Sequence, residues 1–242
     1  MSVAPVNPPP ATAVPARAAW WAVAGVITGL VIAGLLQGVA LLVFPGSDPA
    51  AILMGEVGLW IGLGGTCVVV SRRFGAGSLA EDFGLRFAWV DLAYGPMAAI
   101  GCIVVAGGLG AIFAGTRFAG SNTDIITNQK GNTVGVAIVA VIAALGAPLF
   151  EELFFRGLLQ RALSTRLGFG AVVVQALLFG LAHFQAHLGL RNVSIVIVIA
   201  GVGFVLGCAA WLNQRLGTGI VAHGLFNMFV TLSVIGLLGA HS

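Results

Sequence analysis

Residues 133–157 read TVGVAIVAVIAALGAPLFEELFFRG, an uncharged run of eighteen residues followed by two carboxylates and an arginine. The hydrocarbon core of a bilayer is about 30 Å thick, and a helix needs about 20 apolar residues to cross it. The run from residue 133 to residue 150 therefore predicts a membrane-spanning helix. Charged groups inside a span are costly and often mark functional sites. The motif Glu151-Glu152-x-x-x-Arg156 is consequently the first candidate for a site.

The whole chain has the composition of a membrane protein. Of its 242 residues, 59% are hydrophobic and 8% are charged, and the mean hydropathy is +1.06. Soluble proteins carry about 25% charged residues, so this chain cannot cover a water-facing surface. The composition excludes a soluble enzyme, a disordered regulator and a domain that binds nucleic acid through many basic contacts. It predicts an all-α bundle of transmembrane helices in a lipid bilayer.

The uncharged stretches predict about seven spans, with an eighth left open, in a single domain over residues 18–242. The predicted spans lie near residues 20–44, 51–71, 92–115, 133–150, 169–188, 193–213 and 218–238. Ahead of them, residues 1–17 contain five of the nine prolines. Proline has no N–H donor and this segment has no apolar periodicity, so we expect a disordered tail.

Basic residues indicate the orientation, because short cytoplasmic loops are enriched in Lys and Arg. With the N-terminus in the cytoplasm, eight basic residues fall on the cytoplasmic side and three fall outside. The first group is Arg17, Arg72, Arg73, Arg86, Arg156, Arg161, Arg166 and Arg215; the second is Arg117, Lys130 and Arg191. We therefore expect a cytoplasmic N-terminus. The richness in Ala, Gly and Val is typical of GC-rich bacterial genomes and favours a bacterial plasma membrane.

The charged motif divides into an anchored and a free carboxylate. Glu152 and Arg156 are four residues apart and can form an ion pair on one helix face. Glu151 points about a third of a turn away and has no partner at that spacing. Pro148 removes a backbone hydrogen bond just upstream, which favours a kink. On these residues alone, a merely interfacial charge cluster that ends the span remains an open alternative.

Two further motifs place polar groups in later spans. Phe179-x-x-x-His183 puts an imidazole deep in the predicted fifth span. His223-x-x-x-Asn227 puts an imidazole and a carboxamide on one face of the predicted seventh span. Together with the two carboxylates, these groups on three helices predict a polar cavity inside the bundle.

A helix hairpin would bring two of these groups together. Leu167 lies midway between Glu151 and His183, and Gly168 next to it favours a turn. An antiparallel pair that turns there places Glu151 beside His183. The depth of His223 agrees only if residues 156–168 project into the cytoplasm, which we therefore expect.

The three motifs, in this order on hydrophobic helices, resemble the CAAX protease and bacteriocin-processing family of intramembrane endopeptidases. The founding members of that family are the type II CAAX prenyl endopeptidases. The resemblance covers residues 134–238, the expected protease-like core, and the first three spans carry no motif of this kind. The motifs are Glu151-Glu152-x-x-x-Arg156, Phe179-x-x-x-His183 and His223-x-x-x-Asn227.

The resemblance implies peptide hydrolysis within the membrane. Glu151 would be the general base that activates a water, and His183 would hold that water directly or through a metal. His223 and Asn227 would stabilise the oxyanion of the tetrahedral intermediate. The adjacent ion pair would fix the helix around Glu151. The implied substrate is a membrane-anchored peptide or protein, prenylated or not.

The metal requirement stays open at this level. Members of this family are usually called metalloproteases, and Glu151, His183 and His223 are candidate ligands for Zn²⁺. The H-E-x-x-H signature of zincins is absent, so a metal-free glutamate mechanism is an equal possibility.

Two functions of other classes are alternatives to a peptidase. One is a non-proteolytic membrane scaffold or immunity protein of the same family, and the other is a proton-coupled transporter that uses the buried Glu and His. His187 is interpreted as an interfacial residue outside the site, and the role of Glu56 in the second span is left open.

Overall fold

A computed structural model describes residues 14–236 of the chain. Most of the predicted N-terminal tail, residues 1–13, and the last residues, 237–242, lie outside the described residues. The described part is helical and contains no β-strand, which confirms the all-α prediction. Six helices are long and apolar enough to cross a membrane, and a further apolar helix, Gly170–Ala182, is shorter. The prediction of about seven spans is consistent with this pattern.

Eleven α-helices form the bundle, together with short 3₁₀ and π-helical segments, over residues 14–236. The α-helices are α1 Ala19–Val43, α2 Asp48–Phe74, α3 Leu79–Asp82, α4 Asp91–Phe113, α5 Asp124–Thr127, α6 Thr133–Val141, α7 Ala147–Glu151, α8 Arg161–Leu167, α9 Gly170–Ala182, α10 Asn192–Asn213 and α11 Gly217–Val234. The 3₁₀ segments are Ala16–Ala18 and Ala186–Arg191, and the π-helical segments are Ile142–Gly146 and Glu152–Gln160.

The α6, α7 and α8 helices and the two π segments form one continuous helix, Thr133–Leu167. The helix therefore continues past residue 150, where the predicted fourth span ends. The projection of residues 156–168 into the cytoplasm stays a prediction, and all nine residues of Glu152–Gln160 are buried in the bundle. Their polar side chains find partners on α10 and α11, so the helix does not have to leave the bundle at its charges.

The α9 helix is shorter than the predicted fifth span because a side chain competes with the helix for backbone groups. Gly168, at φ 52°, ends α8 where the turn is predicted. The α9 helix then stops at Ala182 instead of residue 188. Asn192 accepts a hydrogen bond from the Gln185 N–H at 2.8 Å and donates to the Gln185 and Gly189 carbonyls at 2.7 and 3.0 Å. These bonds hold residues 185–191 in a non-α-helical path.

The first two long helices pack through small residues. A side chain at Gly58 would collide with the backbone of Ala33, and one at Gly62 would collide with the backbone of Gly29. Such close backbone approach is a common way for membrane helices to associate. The α4 helix packs on α10 and α11, and α9 packs on α10, so the buried centre lies beside Glu152–Gln160.

Candidate functional site

The ion pair predicted from the i, i+4 spacing is present in the bundle. Arg156 Nη1 donates to Glu152 Oε1 at 2.9 Å, and both side chains are fully buried. Both residues lie in the π segment Glu152–Gln160, and π-helical turns often occur at functional sites. Arg156 is therefore paired inside the bundle and need not be counted in the cytoplasmic charge bias. Without it, that bias is seven basic residues against three, and the cytoplasmic N-terminus stays a prediction.

His223 on α11 lies between the two carboxylates. Its Nδ1 is 3.0 Å from Glu152 Oε1, and its Nε2 is 3.9 Å from Glu151 Oε2. Since a carboxylate only accepts, the Nδ1 atom carries the proton of the shorter contact. The Nε2 atom of a neutral His223 then presents its lone pair toward Glu151. Glu152 thus orients the ring, and Arg156 orients Glu152.

Glu151 keeps one carboxylate oxygen without a protein partner. Its Oε2 atom is buried and makes no hydrogen bond to any residue of the described chain. The 3.9 Å to His223 Nε2 is longer than a direct hydrogen bond, which spans about 2.7–3.2 Å. The expectation of one anchored and one free carboxylate agrees with this geometry.

His183 does not occupy the predicted position. It follows the last residue of α9 instead of lying deep in a span, and its Nδ1 contacts the Phe179 carbonyl at 2.8 Å. No hydrogen bond or ion pair within the described chain joins it to Glu151, which lies 3.9 Å from His223. The Phe179 ring contacts both imidazoles, with centroid distances of 4.9 Å to His183 and 5.8 Å to His223. His183 therefore borders the site across an aromatic ring.

Asn227 lies one turn beyond His223 and contacts the opposite helix. Its Nδ2 donates to the Ala143 carbonyl at 2.8 Å. That carbonyl belongs to the π segment Ile142–Gly146, so the bond ties α11 to the helix that carries Glu151. A carboxamide nitrogen has two N–H donors, so this bond uses only one of them.

Of the three candidate zinc ligands, the structure brings Glu151 and His223 together. Catalytic zinc takes three protein ligands, and no group of three or more His, Cys, Asp or Glu side chains that could hold a metal occurs within residues 14–236. Glu151 and His223 come together, but His183 does not join them as a third ligand. His187 is exposed and lies 3.6 Å from Asp124, outside the site, in agreement with its interpretation as an interfacial residue.

Two buried glutamines next to the site were not predicted. Gln160 and Gln175 are 4% and 0% exposed, and both donate to backbone carbonyls of α10. The spacing of Glu152, Arg156 and Gln160 at every fourth residue is the signal that could have identified the first of them. Gln175 is the one polar side chain within α9, which is the corresponding signal for the second.

The comparisons with known proteins agree with the motif-based resemblance. Residues 133–229 match the family model of type II CAAX prenyl endopeptidase Rce1-like proteins, and the match includes all six predicted site residues. The resemblance is therefore confirmed over this segment. Neither a search of curated proteins nor a search of solved structures returned a significant match.

Proposed function

We propose that this protein is an intramembrane peptidase that hydrolyses a peptide bond in a membrane-associated substrate. The observation that carries the proposal is the free, buried Oε2 of Glu151 facing Nε2 of His223 at 3.9 Å. A carboxylate and an imidazole at this separation can position one water between them. The family match over residues 133–229 independently supports a CAAX-type intramembrane protease.

In the proposed reaction, Glu151 is the general base. Its carboxylate takes a proton from the water, and the water oxygen forms a bond to the carbonyl carbon of the substrate. Collapse of the tetrahedral intermediate breaks the C–N bond, and Glu151 returns the proton to the leaving amine. His183 borders this site and shapes the place where the water is held.

The developing oxyanion requires hydrogen-bond donors. We assign this role to His223 and to the second N–H of Asn227. In the reacting form of His223 both ring nitrogens carry a proton: Nδ1–H stays bound to Glu152, and Nε2–H donates to the oxyanion. This second proton is present before the water attacks and is kept throughout the reaction. The Glu152–Arg156 pair keeps the imidazole in this orientation and is a positioning element. The reaction is proposed without a metal step, and Glu151 and His223 are the two candidate metal ligands that lie together.

The proposed substrate is a peptide or protein that is itself anchored in the bilayer. The matched family is named after CAAX prenyl endopeptidases, so a prenylated peptide is the first probe. We also propose that the protein resides in a bacterial plasma membrane with its N-terminus in the cytoplasm, as its basic residues indicate.

The test is cleavage in proteoliposomes by the wild-type protein and by Glu151→Gln. The probes are a farnesylated CAAX peptide and an acylated peptide that lacks the prenyl group, and products are identified by mass spectrometry. Loss of the general base should reduce the rate by about 10²–10⁴-fold. Glu81→Gln is the matched control, because Glu81 is exposed on α3 and should keep the wild-type rate.

An unchanged rate in Glu151→Gln would contradict the proposal. A scaffold or immunity protein would keep its cellular effect in this variant, whereas a transporter would show proton flux into liposomes without any peptide product. These outcomes separate the peptidase from both alternatives.

A further inference from the structure

Four buried polar side chains form a continuous row beside the site, which we call the polar seam: Glu152, Arg156, Gln160 and Gln175. The first three occur at every fourth residue of one helix, and the last comes from α9. Their exposed fractions are 0%, 1%, 4% and 0%. Four such groups are rarely buried together in a membrane protein unless they serve a function.

Shared contacts on α10 make the seam continuous. Arg156 Nη2 and Gln175 Nε2 donate to the same carbonyl, that of Gly203, at 3.2 and 3.0 Å. Gln160 Nε2 donates to the Gly207 carbonyl at 3.1 Å. The amides of both glutamines converge on Gly207, where an added methyl group would collide with them. The small residues of α10 therefore leave the space that the seam occupies.

The hydrogen bonding of the polar seam is incomplete at every one of its four residues. Each of its four residues has one buried polar atom without a partner among residues 14–236. These atoms are Glu152 Oε2, Arg156 Nε, Gln160 Oε1 and Gln175 Oε1. Buried polar atoms without partners are costly, and ordered water is the usual group that satisfies them. The seam offers both donors and acceptors, as a buried water requires.

The seam connects the candidate site with one end of the bundle. At its inner end, Glu152 contacts His223. At its outer end, Gln160 is followed by Arg161, whose Nη2 donates to the Gln214 carbonyl at an exposed position after α10. The Gln160 end of the row thus lies next to a residue that is partly exposed.

We infer that the polar seam binds a file of water molecules and supplies water to Glu151 and His223. Hydrolysis consumes one water for each bond cleaved, and the hydrocarbon core of a bilayer offers none. The supply role rests on the proposed peptidase function, whereas the binding of water by the seam does not.

Radiolytic footprinting tests the binding of water without any substrate. Hydroxyl radicals formed from bound water oxidise the side chains next to it. Phe179 borders the seam, because the Arg156 guanidinium lies 4.2 Å from its ring centroid. Phe154 is equally buried, at 1% against 2%, and belongs to the same hydrophobic cluster, but its ring packs on Phe155 and has no cation–π contact within residues 14–236. We expect Phe179 to be oxidised several-fold faster than Phe154, and equal rates would overturn the inference.

Leucine substitutions refine the same measurement. Gln160→Leu and Gln175→Leu should lower the oxidation of Phe179 to the level of Phe154. Gln129→Leu is the matched control, since Gln129 is also buried, at 2%, but lies outside the seam. If the leucine variants do not fold, the comparison of the two phenylalanines in the wild-type protein still decides.

The supply role has a kinetic readout. In Gln160→Leu, kcat should fall about tenfold, the effect of a barrier raised by about 1.4 kcal/mol, while KM stays unchanged. A variant that loses the Phe179 oxidation but keeps its kcat would overturn the supply role. Failure of the peptidase proposal can be told apart from failure of this inference. The peptidase proposal is tested by the cleavage rate of Glu151→Gln, and its outcome does not change the Phe179 footprint of the wild-type protein.

Discussion

The α1–α2 hairpin and the segment 133–229 solve the same problem of helix association in different ways. In the hairpin, backbones approach at Gly58 and Gly62, and most of the outer surface of α1 is exposed and apolar. In the segment, glycines such as Gly180 and Gly224 also allow close approach, and buried hydrogen bonds and a buried ion pair join the helices in addition. Apolar burial does not drive association between helices in lipid, so close packing and polar bonds remain as the two available forces.

The two regions therefore differ in whether their helix contacts leave reactive groups available to a substrate. A contact between glycines brings two backbones together but offers no reactive group. A network of buried carboxylate, guanidinium and imidazole groups also holds helices together, and it leaves single atoms, such as Glu151 Oε2, available for a substrate. The family match lies entirely in the second region. Substitutions that change charge or volume should therefore act differently in the two regions.

The largest effect on stability is expected for Arg156→Met. The substitution leaves the Glu152 carboxylate buried without its cation, and breaking a buried pair in this way costs about 3–5 kcal/mol. The free energy of unfolding in detergent measures the loss. Arg166→Met is the control, because Arg166 is exposed near the end of α8. Equal stability of the two variants would show that the segment does not depend on its ion pair.

A smaller effect, on rate, is expected for Asn227→Ala. If its second N–H stabilises the oxyanion, kcat should fall about 10²–10³-fold, or about 2.7–4 kcal/mol. Asn213→Ala is the control, since Asn213 also donates to a backbone carbonyl, at 2.9 Å, within its own helix. If Asn227→Ala loses stability but keeps its kcat, the role of Asn227 is structural only, through its hydrogen bond to the Ala143 carbonyl.

In the hairpin, volume should matter and polarity should not. Gly62→Val places methyl groups against the backbone of Gly29, and overpacking of this kind costs about 1–3 kcal/mol. Gly34→Val is the control, because nothing lies within 4 Å of an added Cβ there. Thermal unfolding in detergent measures both. If Gly62→Val is as stable as Gly34→Val, close glycine packing does not hold the hairpin together, and the proposed difference between the two regions is wrong.

The smallest effect is expected for His187→Ala. His187 is exposed and contacts only Asp124, at 3.6 Å, within the described chain, so its loss should leave peptide cleavage at the wild-type rate. His183→Ala is the informative partner, because His183 packs on Phe179 at the edge of the site and its loss should slow cleavage. If both variants slow cleavage to a similar extent, His187 also acts in catalysis, and the site extends beyond Phe179.

Local spacing was sufficient to predict some features of the site. The Glu152–Arg156 pair was predicted because residues four apart on a helix are neighbours regardless of the fold. The turn at Gly168 was predicted for a similar reason, since a glycine at a helix end tolerates positive φ.

Contacts between distant residues could not be predicted in this way. The hairpin argument placed Glu151 beside His183, but α9 ends early under the influence of Asn192, and His223 takes the position beside Glu151. The continuation of the fourth long helix past residue 150 was also not predicted. The charges at residues 151–156 looked like a boundary because their partners on α10 and α11 are not visible from spacing.

By itself the amino-acid sequence determined the environment, the helical class and the identity of the polar groups. Composition fixes the free energy of transfer into lipid, and in lipid only helices satisfy every backbone group of a single span. The tertiary structure alone decided which polar groups meet. His223 and Glu152 are separated by 71 positions. Their contact depends on how α11 packs against the long helix, and no periodicity within either helix contains that information.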